Sequence, residues 1–188
     1  MHTTPVSLLE RVRSPGEQLA WGRFVEMYTP LLYYWARRMG LQESDAADLV
    51  QEVFAILVAK LPEFVYDRKK SFRGWLRTIL VNKWRDQQRR KAAEPPMQGN
   101  RALAVQEGPV DTEAFWEVEY RQQLVGRALE LMQSEFQPPT WRACWEVVVS
   151  GRSASDVAAE LGITVDSVYA AKSRVLRRLR KELEGLLD

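Results

Sequence analysis

Residues that could do acid–base or nucleophilic chemistry are scarce in this chain. Cys144 is the only cysteine and His2 the only histidine among 188 residues. No intrachain disulfide is available, and a His/Cys zinc site cannot be assembled within one chain. A Ser-His-Asp or Cys-His arrangement would have to recruit His2, close to the N-terminus. There is no glycine loop of the Walker or dinucleotide type. Asp45, Asp48 and Glu52 are close enough in sequence to hold a metal, as a nuclease requires, but their segment carries no cation for a phosphate. The expectation is a non-enzyme with no catalytic residue, no metal and no cofactor.

What the chain does concentrate is cations beside aromatic rings. Lys83, Arg85, Arg89, Arg90 and Lys91 stand against Asp86 alone, and Tyr66, Phe72, Trp75 and Trp84 are interleaved with basic residues from Arg68 onward. Rings that stack on bases, next to cations that hold phosphates, suit an unpaired nucleic-acid strand. A second cluster, Lys172, Arg174, Arg177, Arg178, Arg180 and Lys181, has no acid within it. The net charge is only +2, so the rest of the chain is acidic and the two clusters imply two polyanion contacts.

These residues have to be positioned by helices. Apolar content of 46% and charged content of 28% are globular values, and every sustained period is helical, with no strand-like alternation. Ser14-Pro-Gly-Glu17 reads as a capping box that starts a helix with Trp21, Phe24, Val25 and Tyr28 as its buried stripe. Pro30 is expected to interrupt it before a second segment that stops at Gly40. Met1 to Arg13 carries little pattern. Ser44 should cap a helix reaching about Lys60, with Leu49, Val50, Val53, Phe54, Leu57 and Leu61 apolar. Its opposite face shows Asp48, Gln51 and Glu52, followed by small Ala55 and Ala59. That is an acidic surface of low relief, suited to a basic helix of another protein. Pro62 ends the helix, and Ser71 caps the aromatic, basic one.

From Ala92 to Asp111 the texture changes: Pro95, Pro96, Gly99, Gly108 and Pro109 interrupt any period, as in an interdomain linker. Asp111 or Thr112 should cap a helix to about Gln133, and Pro138-Pro139 opens another that closes at Ser150-Gly151. Ser153 to Tyr169 then reads as helix, tight turn, helix. Ala158 is small where the helices cross, Gly162 makes the turn, and Val157, Leu161, Ile163 and Val168 fill the space between them. Thr164 caps the second helix, which runs to roughly Glu184. This is a helix-turn-helix whose second helix would enter a DNA major groove. The chain lacks a signal-peptide core and a run of membrane-spanning length, so a cytoplasmic location is expected.

Taken together, Asp48-Leu-Val-Gln-Glu-Val-Phe54, Phe72-Arg-Gly-Trp-Leu76, Asn82, Asp86 and the terminal helix-turn-helix resemble a bacterial RNA polymerase sigma factor of the sigma-70 family. The size and two-domain plan are similar to the extracytoplasmic-function (ECF) group, which keeps only the second and fourth sigma domains. The resemblance runs from about Ser14 to Leu183, and Val168-Tyr-Ala-Ala-Lys-Ser-Arg-Val-Leu is typical of a subset of the group. It implies an all-α chain in three parts. Residues 1–91 form sigma domain 2, for polymerase binding and recognition and melting of the minus-10 element. Residues 92–111 form a flexible linker, and 112–188 form sigma domain 4, for the minus-35 element.

The resemblance also implies roles. Asp48, Gln51 and Glu52 would dock on the clamp helices of the large subunit of core RNA polymerase, whose flap is a second contact. Tyr66, Arg68 and Lys69, on the loop, would hold a flipped minus-10 base. Phe72, Arg73, Trp75, Arg77, Asn82, Lys83, Arg85, Arg89 and Arg90 would line the melted strand. Thr164, Ser167, Tyr169, Ala170, Lys172, Ser173, Arg174, Arg177 and Arg178 would meet minus-35 DNA. Members are often held by an anti-sigma factor, which is a further expected partner. Many relatives carry a basic residue where this chain has Tyr169, Ala170 and Ala171; small residues and a phenol approach thymine methyls, whereas Arg prefers guanine edges. The alternative is a stand-alone helix-turn-helix regulator that does not bind core polymerase as a sigma subunit.

Overall fold

The computed structural model describes residues 7–65, 71–93 and 113–187, and among them every regular element is helical. In chain order these are α1 (Leu8–Arg13), α2 (Gln18–Arg38), α3 (Glu43–Lys60), α4 (Phe72–Ala93), α5 (Glu113–Met132), α6 (Pro138–Val148), α7 (Ala154–Leu161) and α8 (Val165–Glu182). Short 3₁₀ turns follow α3 and α5 at Leu61–Glu63 and Gln133–Glu135. The chain divides into two compact units. One comprises Leu9–Leu124 with Gly185–Asp188, the other Met1–Leu8 with Val125–Glu184. Of the expected linker, Ala92 and Ala93 continue α4, while 94–111 lie outside the described residues. No helix among the described residues is long and apolar enough to cross a membrane.

In the first unit α2, α3 and α4 share one core. Phe24, Met27, Tyr28, Leu31, Leu32 and Trp35 come from α2, Leu49, Val53 and Leu57 from α3, and Phe72, Leu76 and Leu80 from α4, all almost fully buried. Pro30 does not interrupt α2. It sits on the exposed face, and buried residues on both sides outweigh the roughly 3 kcal/mol that an interior proline costs. The Ser14 capping box does not form either. The Ser14 hydroxyl donates back to the Glu10 carbonyl at 3.3 Å and closes α1, and Glu17 pairs with Arg11 at 3.4 Å instead of reaching Ser14. Gly16, with φ +88°, then turns the chain into α2. Within the stretch of little pattern before Arg13, residues 1–6 lie outside the described residues, and Leu8–Arg13 form α1, which buries Leu8, Leu9 and Val12. Ser44 does not cap α3, which begins at Glu43 after Gln42. Ser71 does cap α4, accepting from the Gly74 amide at 3.1 Å.

The second unit is built from two contiguous clusters. Ala143, Ala154, Val157, Ala158, Val168 and Ala171 form one, with Leu161 and Ile163 against it. Met132, Trp141, Cys144 and Val175 form the other. Gly162 takes the left-handed conformation (φ +66°) at the end of α7, where a residue with a Cβ would be strained. Thr164 caps α8 by accepting from the Ser167 amide at 3.1 Å.

Candidate nucleic-acid interface

On α3 the apolar stripe Ala46, Leu49, Val50, Val53 and Leu57 faces the core, which leaves Asp48, Gln51, Ala55, Val58 and Ala59 exposed on the other side. Val58 is 56% exposed and adds an apolar contact to a surface that reads as acidic and small in sequence. Glu52 lies off this face and is half-buried. Its Oε2 is 3.2 Å from Lys83 Nζ on α4. Asp45 pairs with Lys91 in the same way, so cations do stand beside these acids, supplied by the neighbouring helix. No group of three possible metal ligands converges among the described residues.

On α4 the aromatic residues divide. Phe72 is 1% exposed and packs on Phe24, Tyr28 and Phe64 with ring centroids 6.0, 5.8 and 5.6 Å apart, so its ring is committed to the core. Trp75 is half-buried, 4.7 Å from Phe64, and Trp84 is half-buried further along. Asn82, Trp84, Arg85 and Arg89 line one concavity of about 620 Å³. Arg85 and Arg90 are exposed, and Arg89 pairs with Asp86 within the helix. Arg73 and Arg77 turn toward α5: Arg73 Nη1 is 3.9 Å from Glu117 Oε2, and the Arg77 guanidinium lies 4.9 Å from the centre of the Trp116 ring. Tyr66, Arg68 and Lys69 lie outside the described residues.

On α8, Val168, Ala171 and Val175 face inward. Thr164, Ser167, Tyr169, Ala170, Ser173, Arg174 and Arg177 are therefore exposed along one side, with Lys172 half-buried at its edge. Tyr169 is 54% exposed, so its ring is not buried in the core of the second unit. Tyr169, Lys172, Ser173 and Arg177 line a shallow concavity of about 380 Å³. Arg178 differs from its neighbours. It donates to Glu135 at 2.8 and 3.1 Å and to Glu182, itself 3% exposed, at 2.6 Å. Partial burial works against its charge, but Glu182 and Glu135 outweigh that and raise its pKa.

Two sets of residues escape the sequence reading. One is Glu117 and Tyr120 on α5; Trp116 and Leu124 read as apolar positions of that helix in sequence, and Tyr120, four residues from each, completes their buried stripe. The other is the ion-pair network Arg142–Glu160–Arg152–Glu146 in the second unit, whose members are too far apart in sequence to suggest one another.

The family model for sigma-70 region 2 matches residues 24–94, which enclose α3 and α4. RNA polymerase sigma factor CnrH of Cupriavidus metallidurans is 29% identical over 184 residues, covering 96% of this chain and 93% of that protein. Residues 24–94 thus match sigma-70 region 2, and the proteins to which the chain is similar over most of its length are RNA polymerase sigma factors. RNA polymerase sigma factor NccH of Alcaligenes xylosoxydans is 40% identical over 81 residues, 43% of this chain and only 42% of NccH. ECF RNA polymerase sigma factor SigE of Mycolicibacterium smegmatis is 26% identical over 176 residues, with 89% of this chain and 64% of SigE covered. A solved structure of CnrH in complex with the cytosolic domain of CnrY aligns at 26% identity and a TM-score of 0.38, covering 92% of each chain. The region 2 match ends before α5, so α7 and α8 lie outside it and within the alignment to CnrH, which covers 96% of this chain.

Proposed function

We propose that this chain is an ECF sigma factor that binds core RNA polymerase in the cytoplasm and directs it to a subset of promoters. The exposed face of α3, with Asp48, Gln51 and Val58, docks on the clamp helices. The outer side of α4 with the loop before it holds the melted minus-10 strand, and the exposed side of α8 reads the minus-35 element. An anti-sigma factor that competes for these surfaces is part of the reading. Residues 1–91 and 112–188 serve as sigma domains 2 and 4. The nucleotide chemistry belongs to the polymerase.

The observation that carries this reading is the sigma-70 region 2 match over residues 24–94 with the similarity to sigma factors along most of the chain, together with exposed polar side chains on all three helices. A stand-alone helix-turn-helix regulator would leave the acidic face of α3 and the basic side of α4 without a task. Transcription reconstituted with core polymerase separates the two, since only a sigma subunit supports initiation there. Asp48 is a cleaner docking probe than Glu52, because Glu52 already pairs with Lys83. Asp48→Lys is expected to weaken core binding while leaving binding to isolated minus-35 duplex unchanged, and wild-type docking should weaken as salt rises. Equal core affinity of wild type and Asp48→Lys would sink the docking assignment.

A further inference from the structure

The first half of α5 is packed into the first unit by a buried aromatic stripe. Trp116, Tyr120 and Leu124 are 7%, 1% and 0% exposed. The Trp116 ring meets Trp35 edge-on at 4.9 Å, and Tyr120 lies against Trp35 at 6.0 Å. The Tyr120 and Tyr28 hydroxyls share a buried hydrogen bond of 2.7 Å. Such a bond, made between two phenols shut off from water, specifies one seating of the helix; a register shift would strand both hydroxyls. On the rim of this contact, Trp116 covers Arg77 and Glu117 faces Arg73.

We infer that residues 116–124 are an internal cover that docks on α2 and α4 and competes with single-stranded nucleic acid for Arg73 and Arg77. The inference rests on the reading of α4 as the strand-holding helix. A carboxylate and a π-face are the two groups a guanidinium meets on nucleic acid, in the form of phosphate and base. Glu117 and Trp116 supply the same pair from within the chain. Both arginines cannot serve the cover and the strand together. The apparent affinity for a strand is therefore lowered by the fraction of molecules in which the cover is seated. The buried Tyr28–Tyr120 bond and the Trp35 contacts set that fraction, while Glu117 and Trp116 confer the competition.

The test uses the full chain and a fluorescein-labelled single-stranded oligonucleotide of mixed sequence, followed by anisotropy. Circular dichroism melts confirm that each variant is folded. If about nine molecules in ten are covered, Trp116→Ala should bind the strand about tenfold tighter than wild type. Glu117→Gln should bind it severalfold tighter. Arg85→Ala, on the exposed side of α4 away from the cover, should bind more weakly. Tighter binding by the two α5 variants supports the cover. Unchanged binding by both, with Arg85→Ala weakened, overturns the cover and leaves the reading of α4 standing. Insensitivity to Arg85→Ala as well overturns that reading and the cover with it. Hydrogen exchange gives an independent readout that needs no variant. Amides of 116–124 should be protected in the free chain and lose protection when the oligonucleotide is added; unaltered protection at saturation overturns the proposal.

Discussion

In α4, Lys83 lies 3.2 Å from Glu52, Lys91 meets Asp45, Arg89 meets Asp86, and Arg73 and Arg77 face Glu117 and Trp116. In α8, by contrast, Lys172, Arg174 and Arg177 have no ion pair among the described residues, and only Arg178 is tied down. Two helices with similar basic composition thus present their charge differently. The second can meet a polyanion with nothing to give up. The first has only Arg85 and Arg90 without an ion pair among the described residues and must otherwise exchange internal partners. Exposed pairs are worth only about 0–1 kcal/mol each, so the exchange is accessible but graded. On the proposed function, duplex reading by α8 is available at once, and strand holding by α4 responds to what else occupies it.

The sharpest way to break this contrast lies within α8 itself. Arg178→Ala removes the ion pair to nearly buried Glu182 and both bonds to Glu135. Breaking a fully buried pair costs about 3–5 kcal/mol, and the partial exposure of Arg178 brings the expected loss to about 2 kcal/mol. A thermal melt should therefore drop by several degrees for Arg178→Ala and not for Arg177→Ala. Equal melting of the two would erase the distinction between the tied and the available cation.

Next in size is the division of labour along the exposed side. Tyr169→Ala should cost about 1 kcal/mol on cognate minus-35 duplex and little on scrambled duplex, as expected for a lost base contact. Arg177→Ala should weaken both alike and lower the slope of log affinity against log salt by about one unit, as expected for a lost phosphate contact. Titrations on both duplexes at several salt concentrations distinguish the outcomes. Tyr169→Ala losing equally on both duplexes would remove Tyr169 from the reading face.

The same contrast explains what was legible in the sequence. Helix α8, its cap at Thr164, the turn at Gly162 and the exposure of Arg174 and Arg177 follow from local spacing, because a helix face is decided within two turns. The fate of Phe72, Arg73 and Arg77 on α4 depends on side chains from α2 and α5, and that of Glu52 on α3 depends on Lys83 of α4; periodicity within one helix cannot contain that information. The spacing of α4 announces rings and cations but not which are already engaged. The ends of α2 show the same limit. Ser14 and Glu17 have capping-box identities, yet the Ser14 hydroxyl bonds backward to α1 and Glu17 pairs with Arg11. Pro30 is overruled by a core assembled from three helices.

The smallest expected effect concerns the ion-pair network that links α6 to α7. Glu160 accepts from Arg152 at 2.6 Å and from Arg142 at 2.5 Å, and Arg152 also reaches Glu146 at 3.3 Å. The hydrogen bond from Arg152 and its charge, with a smaller part from Arg142, hold the Glu160 carboxyl below its ordinary value of 4.5. A carboxyl whose pKa is lower folded than unfolded binds its proton more weakly in the native state. Its contribution is complete above 4.5 and fades as pH falls through the folded value, when the unfolded chain takes up the proton first. The groups are solvent-exposed, so screening keeps the contribution small. Melts of wild type and Glu160→Gln should differ near neutral pH and converge as pH drops below that point, and added salt should narrow the gap in the same direction. A gap that persists unchanged into acid would mean that Glu160 acts by packing and not by charge.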